Sequence, residues 1–213
     1  MKQLLLLLLL ISMSWFASAQ GLQPKVGVNF SSVTADIEEA DRVALPGLNF
    51  GLGFASTGPV GIQTELLYMQ KGVKYENGED YVQMTSNYLE LPVMLKVNLG
   101  PEAIKFFLNA GGYAAYWLSG TTKLSYGGEE ETTDYEFDDS YDDDGVKDNR
   151  FDYGIAFGGG LGIKLGPGFL TAEVRYDLGL ADLNKFEDGE PEGYEGMKNR
   201  TIGIMAGYII KLY

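Results

Sequence analysis

The sequence predicts an all-β fold, an eight-stranded antiparallel up-and-down transmembrane β-barrel, and three observations carry that prediction. Its segments alternate apolar and polar residues with period two, as in "TAEVRYDLGLADL" at 171–183. The connections between segments alternate strictly between short and long. The composition, 29 Gly, 14 Tyr and 11 Phe in 213 residues, suits strands and tight turns rather than a helical bundle.

The leader is the first element. "MKQLLLLLLLISMSWFASAQ" opens on cationic Lys2, runs apolar through Phe16, and ends in the small residues Ala17, Ser18 and Ala19 before Gln20. This is the pattern of a secretory signal peptide with an A-x-A-like cleavage site, and its apolar run is shorter than the ~20 residues of a spanning helix. Residues 1–19 are therefore expected to be removed, leaving residues 20–213 as one outer-membrane barrel domain. Loss of Lys2 takes the formal net charge from −14 to −15. The chain has no Cys, so the leader is not that of a lipoprotein.

Eight alternating segments follow, at 23–30, 46–57, 60–75, 87–99, 105–126, 151–165, 169–183 and 200–212. Three connections are short and marked by Gly and Pro: "TGPV", "GPEA" and "GPG". Four are longer and polar, at 31–45, 76–86, 127–150 and 184–199. Long connections follow odd segments and short ones follow even segments. An outer-membrane barrel sorts its loops in this way, with short periplasmic turns and long extracellular loops.

Parity decides which face is inside. In the fourth segment Leu89, Leu91, Val93, Leu95 and Val97 oppose Glu90, Pro92, Met94, Lys96 and Asn98. In the sixth, Tyr153, Ile155, Phe157, Leu161 and Ile163 oppose Asp152 and a run of Gly and Ala. In the last, Ile202, Ile204, Ala206, Tyr208, Ile210 and Leu212 oppose Gly203, Met205, Gly207, Ile209 and Lys211. Eight bulky apolar faces would overfill the interior of an eight-stranded barrel, so the small and charged set is expected inside. Glu173, Arg175 and Asp177 then point inward and Val174, Tyr176 and Leu178 point at lipid.

Buried charges persist only when paired and hydrogen-bonded. Glu65, Glu90, Glu173 and Asp177 are accordingly expected to pair with Lys96, Arg175 and Lys211, filling the lumen. Phe107, Tyr113 and Trp117 are expected to pack against the glycines of "YGIAFGGGLGIKL". By the same reading Val174→Arg costs about 2–4 kcal/mol at the bilayer midplane, and Glu173→Gln costs less. Tyr68, Tyr88, Phe106, Tyr116, Tyr153, Tyr176 and Tyr208 are assigned to the lipid face, towards the interfaces.

"GVNFSS", "IQTELLYMQKGVKY", "NYLELPVMLKVNL", "FDYGIAFGGGLGIKL" and "LTAEVRYDLGLADL" together resemble the PorT-type outer-membrane β-barrel family common in Bacteroidota. The resemblance runs over nearly all of residues 20–213 and implies an eight-stranded barrel in the outer membrane. The name-giving branch is linked to secretion of surface proteins, and nothing in these motifs selects it. One feature departs from the pattern of outer-membrane strands: the final aromatic, Tyr213, shares parity with Lys211 rather than with Ile210 and Leu212.

Function is bounded by exclusion. The chain has no His, which removes the usual general base near neutral pH, and no Cys, which removes thiol chemistry. No enzyme activity and no cofactor are expected. The acidic balance excludes nucleic acid, which is bound through Lys and Arg. The expected partner is outer-membrane lipid, and the barrel is expected to be a monomer. A structural or adhesive role carried by the exposed loops is the first reading; a component of a secretion or envelope-assembly machine, with a protein partner, is the alternative; a His-independent membrane enzyme or a small pore is the third. The loop at 127–150 holds eleven carboxylates against Lys147 and Arg150. Asp142, Asp143 and Asp144 are its candidate calcium ligands, and because "DDDG" lacks the spacing of a calcium loop the expected affinity is in the range of about 10⁻⁴–10⁻³ M.

Overall fold

A computed structural model describes residues 20–35, 40–137, 145–187, 189, 191, 194 and 196–212. The strands run β1 (Gln20–Val33), β2 (Asp41–Ser56), β3 (Val60–Asn77), β4 (Asp80–Leu99), β5 (Ile104–Tyr126), β6 (Glu129–Asp134), β7 (Val146–Asp148), β8 (Phe151–Leu165), β9 (Gly168–Gly179), β10 (Asn184–Phe186) and β11 (Asn199–Lys211). Eight of them form a closed antiparallel ring in the order β1, β2, β3, β4, β5, β8, β9, β11, with β11 pairing back onto β1. Closure leaves the ring without an open edge, which hydrocarbon would not tolerate because unpaired N–H and C=O groups find no water there.

The inside and outside follow parity. Glu173 is 2% exposed and its neighbour Val174 is 54% exposed. The outer surface is a continuous apolar band that includes Val26, Phe50, Leu95, Leu108, Phe157 and Ile204. Phe107 pairs with Gly160 and Tyr113 with Gly154, so the bulky residues of β5 lie against the glycines of β8. A Cβ at Gly154 would stand 2.8 Å from Tyr113 Cε1, and one at Gly160 would stand 2.7 Å from Phe107 Cζ. Small residues on one strand thus make room for rings from the next, as the lumen reading expects.

Three connections differ from the sequence reading. Residues 76–86 are not a loop: β3 and β4 pair up to Asn77 and Asp80 around a two-residue turn with Gly78 at φ 66°. Cross-strand pairs such as Tyr75 with Val82 and Val73 with Met84 carry the hairpin above the apolar band. The segment 127–150 begins as a hairpin too. Gly127 and Gly128, at φ 59° and 86°, turn the chain so that β6 pairs with the end of β5. Further along, β7 pairs with β10 from the segment 184–199, forming a small two-stranded sheet over the same end of the barrel.

Tyr88 is a correction to the aromatic assignment. It is buried inside the lumen, in phase with Glu90, next to a bulge between Asn87 and Tyr88 in the β4–β5 ladder. Its ring stacks on Trp117 rather than facing lipid. Phe106, Tyr116 and Tyr153 do lie on the outer face. Tyr213 lies outside the described residues.

Candidate functional site

The interior contains a polar network in two levels, built from inward positions of strands that do not all touch one another. At the lower level Lys25 of β1 donates from Nζ to Glu65 Oε1 of β3 at 2.7 Å and to Glu173 Oε2 of β9 at 2.6 Å. Arg175 donates from Nε and Nη2 to Glu173 Oε1 at 2.9 and 2.7 Å, and its Nη2 lies 2.9 Å from Glu65 Oε2. Gln63 Nε2 donates to Glu65 at 2.7 Å and to Glu173 at 3.1 Å, and Asn109 Nδ2 donates to Glu173 at 3.1 Å. Two cations and two carboxylates thereby pair with one another with neutral donors between them, as burial requires, although Arg175 Nη1 has no hydrogen-bond partner among the described residues.

The upper level is centred on Lys71 of β3. Its Nζ lies 2.8 Å from Glu90 Oε2 and 3.3 Å from Asp152 Oδ2. The ammonium also sits 4.8 Å from the ring centroid of Tyr113 and 5.1 Å from that of Tyr88. Asn199 Nδ2 donates to Asp152 Oδ2 at 2.9 Å, holding that carboxylate from β11. Asp177 is as buried as the rest, and neither of its oxygens has a hydrogen-bond partner among the described residues.

An aromatic layer covers the upper level. Trp117 stacks on Tyr88 with centroids 5.9 Å apart and on Tyr135 at 4.9 Å, while Phe137 meets it edge-on at 5.0 Å. Arg150 lies 3.9 Å from the Phe137 centroid and 4.9 Å from that of Tyr116. At the short-turn end Phe107, Phe169 and Ile209 are buried, leaving a void of about 10 Å³ beside them, room for a single water at most.

The structure places Glu65, Glu90, Glu173, Arg175 and Asp177 inside the barrel, as parity expects, but gives Asp177 no ion pair among the described residues and corrects the two lysines assigned with them. Lys96 is buried and lies 4.0 Å from the Phe107 centroid, with no carboxylate in ion-pair range among the described residues. Lys25 and Arg175 already occupy the nearest carboxylates. Lys211 is half-buried at the short-turn mouth, where it and Lys105 each approach the Phe169 ring at 5.2 Å. Glu173 pairs with Met205, so Lys211 stands six residues, roughly 20 Å, further along β11 and cannot reach the network.

Two of the three cations that do the pairing inside the barrel, Lys25 and Lys71, were missed. Their signal was parity: Lys71 is in phase with Glu65 along β3, and Lys25 is in phase with Gln23 and Asn29 along β1. Asp142, Asp143 and Asp144 lie outside the described residues. Among the described residues no group of three or more acidic side chains converges as a metal site.

The family model described as outer membrane protein beta-barrel domain matches residues 17–185. Among solved structures, Neisserial surface protein A (NspA) aligns with a TM-score of 0.43 and 12% identity, over 92% of this chain and 100% of its own. Ail, the attachment invasion locus protein of Yersinia pestis, solved in complex with the heparin analogue sucrose octasulfate, aligns with a TM-score of 0.43 and 15% identity, over 90% of this chain and 99% of its own. The translocator domain of the autotransporter NalP from Neisseria meningitidis gives a TM-score of 0.28 and 11% identity, over 93% and 92% respectively. No curated protein matches the chain in sequence.

Proposed function

Because the chain belongs to the outer membrane protein beta-barrel domain family, we propose that it is a non-conducting surface protein whose extracellular rim makes its working contacts, in a structural or adhesive role. The observation that carries this reading is the filled lumen. Lys25, Lys71, Glu65, Glu90, Glu173 and Arg175 cross the interior almost wholly buried, so the barrel offers no continuous aqueous path. What remains accessible is the long-loop end, where strands rise beyond the 9–11 residues that cross a bilayer: β4 has 20 residues and β5 has 23.

Residues 1–19 serve as the export signal and Gln20 opens the mature chain. The five motifs quoted from the sequence support membership of the PorT-type family common in Bacteroidota, without selecting its secretion-linked branch. The barrel works as a monomer in lipid, and its acidic loops form a solvated rim, with weak calcium binding at Asp142, Asp143 and Asp144 as the second reading.

Proteolysis of intact cells tests the reading. Lys185 lies exposed in β10 at the long-loop end, and trypsin added outside is expected to cut there while the transmembrane strands stay in the membrane. Protection in intact cells, with cutting only after the outer membrane is opened, would contradict the orientation.

A further inference from the structure

A cavity of about 130 Å³ lies above the aromatic layer, between the top of the barrel and the small β7–β10 sheet. Val73, Met84 and Leu183 give it an apolar wall, and Trp117 and Tyr135 give it an aromatic one. Asp148 and Asn184, paired residues of the small sheet, bring polar atoms to its roof. Tyr135 donates to Asp148 Oδ1 at 2.9 Å, which holds the carboxylate against the aromatic wall.

Size and charge together select an occupant. An apolar cavity of about 150 Å³ accommodates benzene, so this one admits a single ring. The segment 127–150, which lines the cavity through Tyr135 and Asp148, carries eleven carboxylates against two cations in its sequence, and an excess of one sign of charge concentrates counter-ions. Asp148 places one of those carboxylates in the cavity lining itself. We infer that the cavity binds a small amphiphilic cation, an apolar ring bearing an ammonium group, with the ring against Trp117 and Tyr135 and the ammonium towards Asp148. This site rests on the reading that the long-loop end faces the outside.

The chain has two tryptophans, Trp15 and Trp117, and Trp15 leaves with residues 1–19, so Trp117, which lines the cavity, is the sole reporter in the chain that starts at Gln20. That chain, folded in detergent micelles, would be titrated with three probes while Trp117 emission is followed. 2-Phenylethylamine is expected to give a saturable change. 3-Phenylpropionate, with the same ring and the opposite charge, is expected to bind at least tenfold more weakly, and ethylamine, with charge and no ring, is expected to leave the emission unchanged. Asp148→Asn should narrow the gap between amine and acid, and Met84→Phe, which sets a bulkier and stiffer ring in the apolar wall, should weaken the saturable change in a barrel that still migrates as folded without boiling. A linear, unsaturated response to the amine, equal binding of amine and acid, or undiminished binding by folded Met84→Phe would overturn the site. Binding is read on purified protein, so loss of binding with trypsin cutting intact cells removes only the ligand, and binding with protection from trypsin removes only the orientation.

Discussion

The guanidinium of Arg175 reaches across the lumen to within 2.9 Å of Glu65, joining β9 to β3, two strands that share no hydrogen-bonded edge. Lys25 bridges the same two carboxylates, Glu65 and Glu173, from β1. The barrel is therefore held by its backbone ladder around the circumference and by ion pairs across the diameter.

Removing one partner of such a pair leaves a buried charge uncompensated. Arg175→Met is expected to cost about 3–5 kcal/mol, and Glu173→Gln a similar amount, because Lys25, Arg175, Gln63 and Asn109 all converge on that carboxylate. Parity alone ranks Glu173→Gln below Val174→Arg, whose cost is about 2–4 kcal/mol at the midplane; the four contacts reverse that order. Urea titration of refolding into lipid vesicles measures all three. A Glu173→Gln barrel as stable as the parent would mean that the network carries no net stability.

How much of this was legible in the sequence depends on range. Period-two alternation is local, so the inward placement of Glu173 and the outward placement of Val174 could be read directly. Which lysine meets which carboxylate depends on how far each strand is staggered around the ring, and no local pattern reveals that, so Lys211 was placed some 20 Å too near; the inward placement of Lys25 and Lys71 was legible by parity, and only their partners were not. Tyr88 was misread because its aromatic type outweighed its parity with Glu90. The hairpin at 76–86 was read as a loop because strands standing in water need no apolar face, although "NG" at Asn77 and Gly78 is a turn signal.

Trp117 and Val93 test the two faces optically. Trp117 is 3% exposed and Val93 is 51% exposed. In vesicles with brominated acyl chains, a chain with Trp117 as its only tryptophan should keep its emission. A chain with Val93→Trp as its only tryptophan should be strongly quenched. Equal quenching of both would contradict the assigned faces.

Gly160 tests the fit between β8 and β5. A Cβ there would meet both the Ala172 carbonyl and the Phe107 ring. Gly160→Ala is expected to destabilise the barrel by about 1–3 kcal/mol in the same urea titration, the usual cost of overpacking. An unchanged midpoint would mean that the lumen has slack at this level.

The β5–β6 hairpin should respond to acid. Hydrogen bonds from Lys123 and Tyr81 hold the Glu130 carboxyl below its ordinary value of 4.5. A lowered pKa means that the contact's contribution is present above the unfolded value and is lost as pH falls through the folded one. Amide exchange at 121–134 is therefore expected to speed up as pH falls below 4.5, beyond the intrinsic pH effect, and Glu130→Gln should remove that extra dependence. Identical profiles for the two chains would rule the contact out as the source.

Planar-bilayer recording of the purified barrel tests the filled lumen most directly. With Lys71, Lys96, Glu90 and Arg175 each at most 1% exposed within the ring, the recording should show no stable open level at any applied voltage. A steady single-channel conductance from the folded protein would contradict the closed lumen and require a pore.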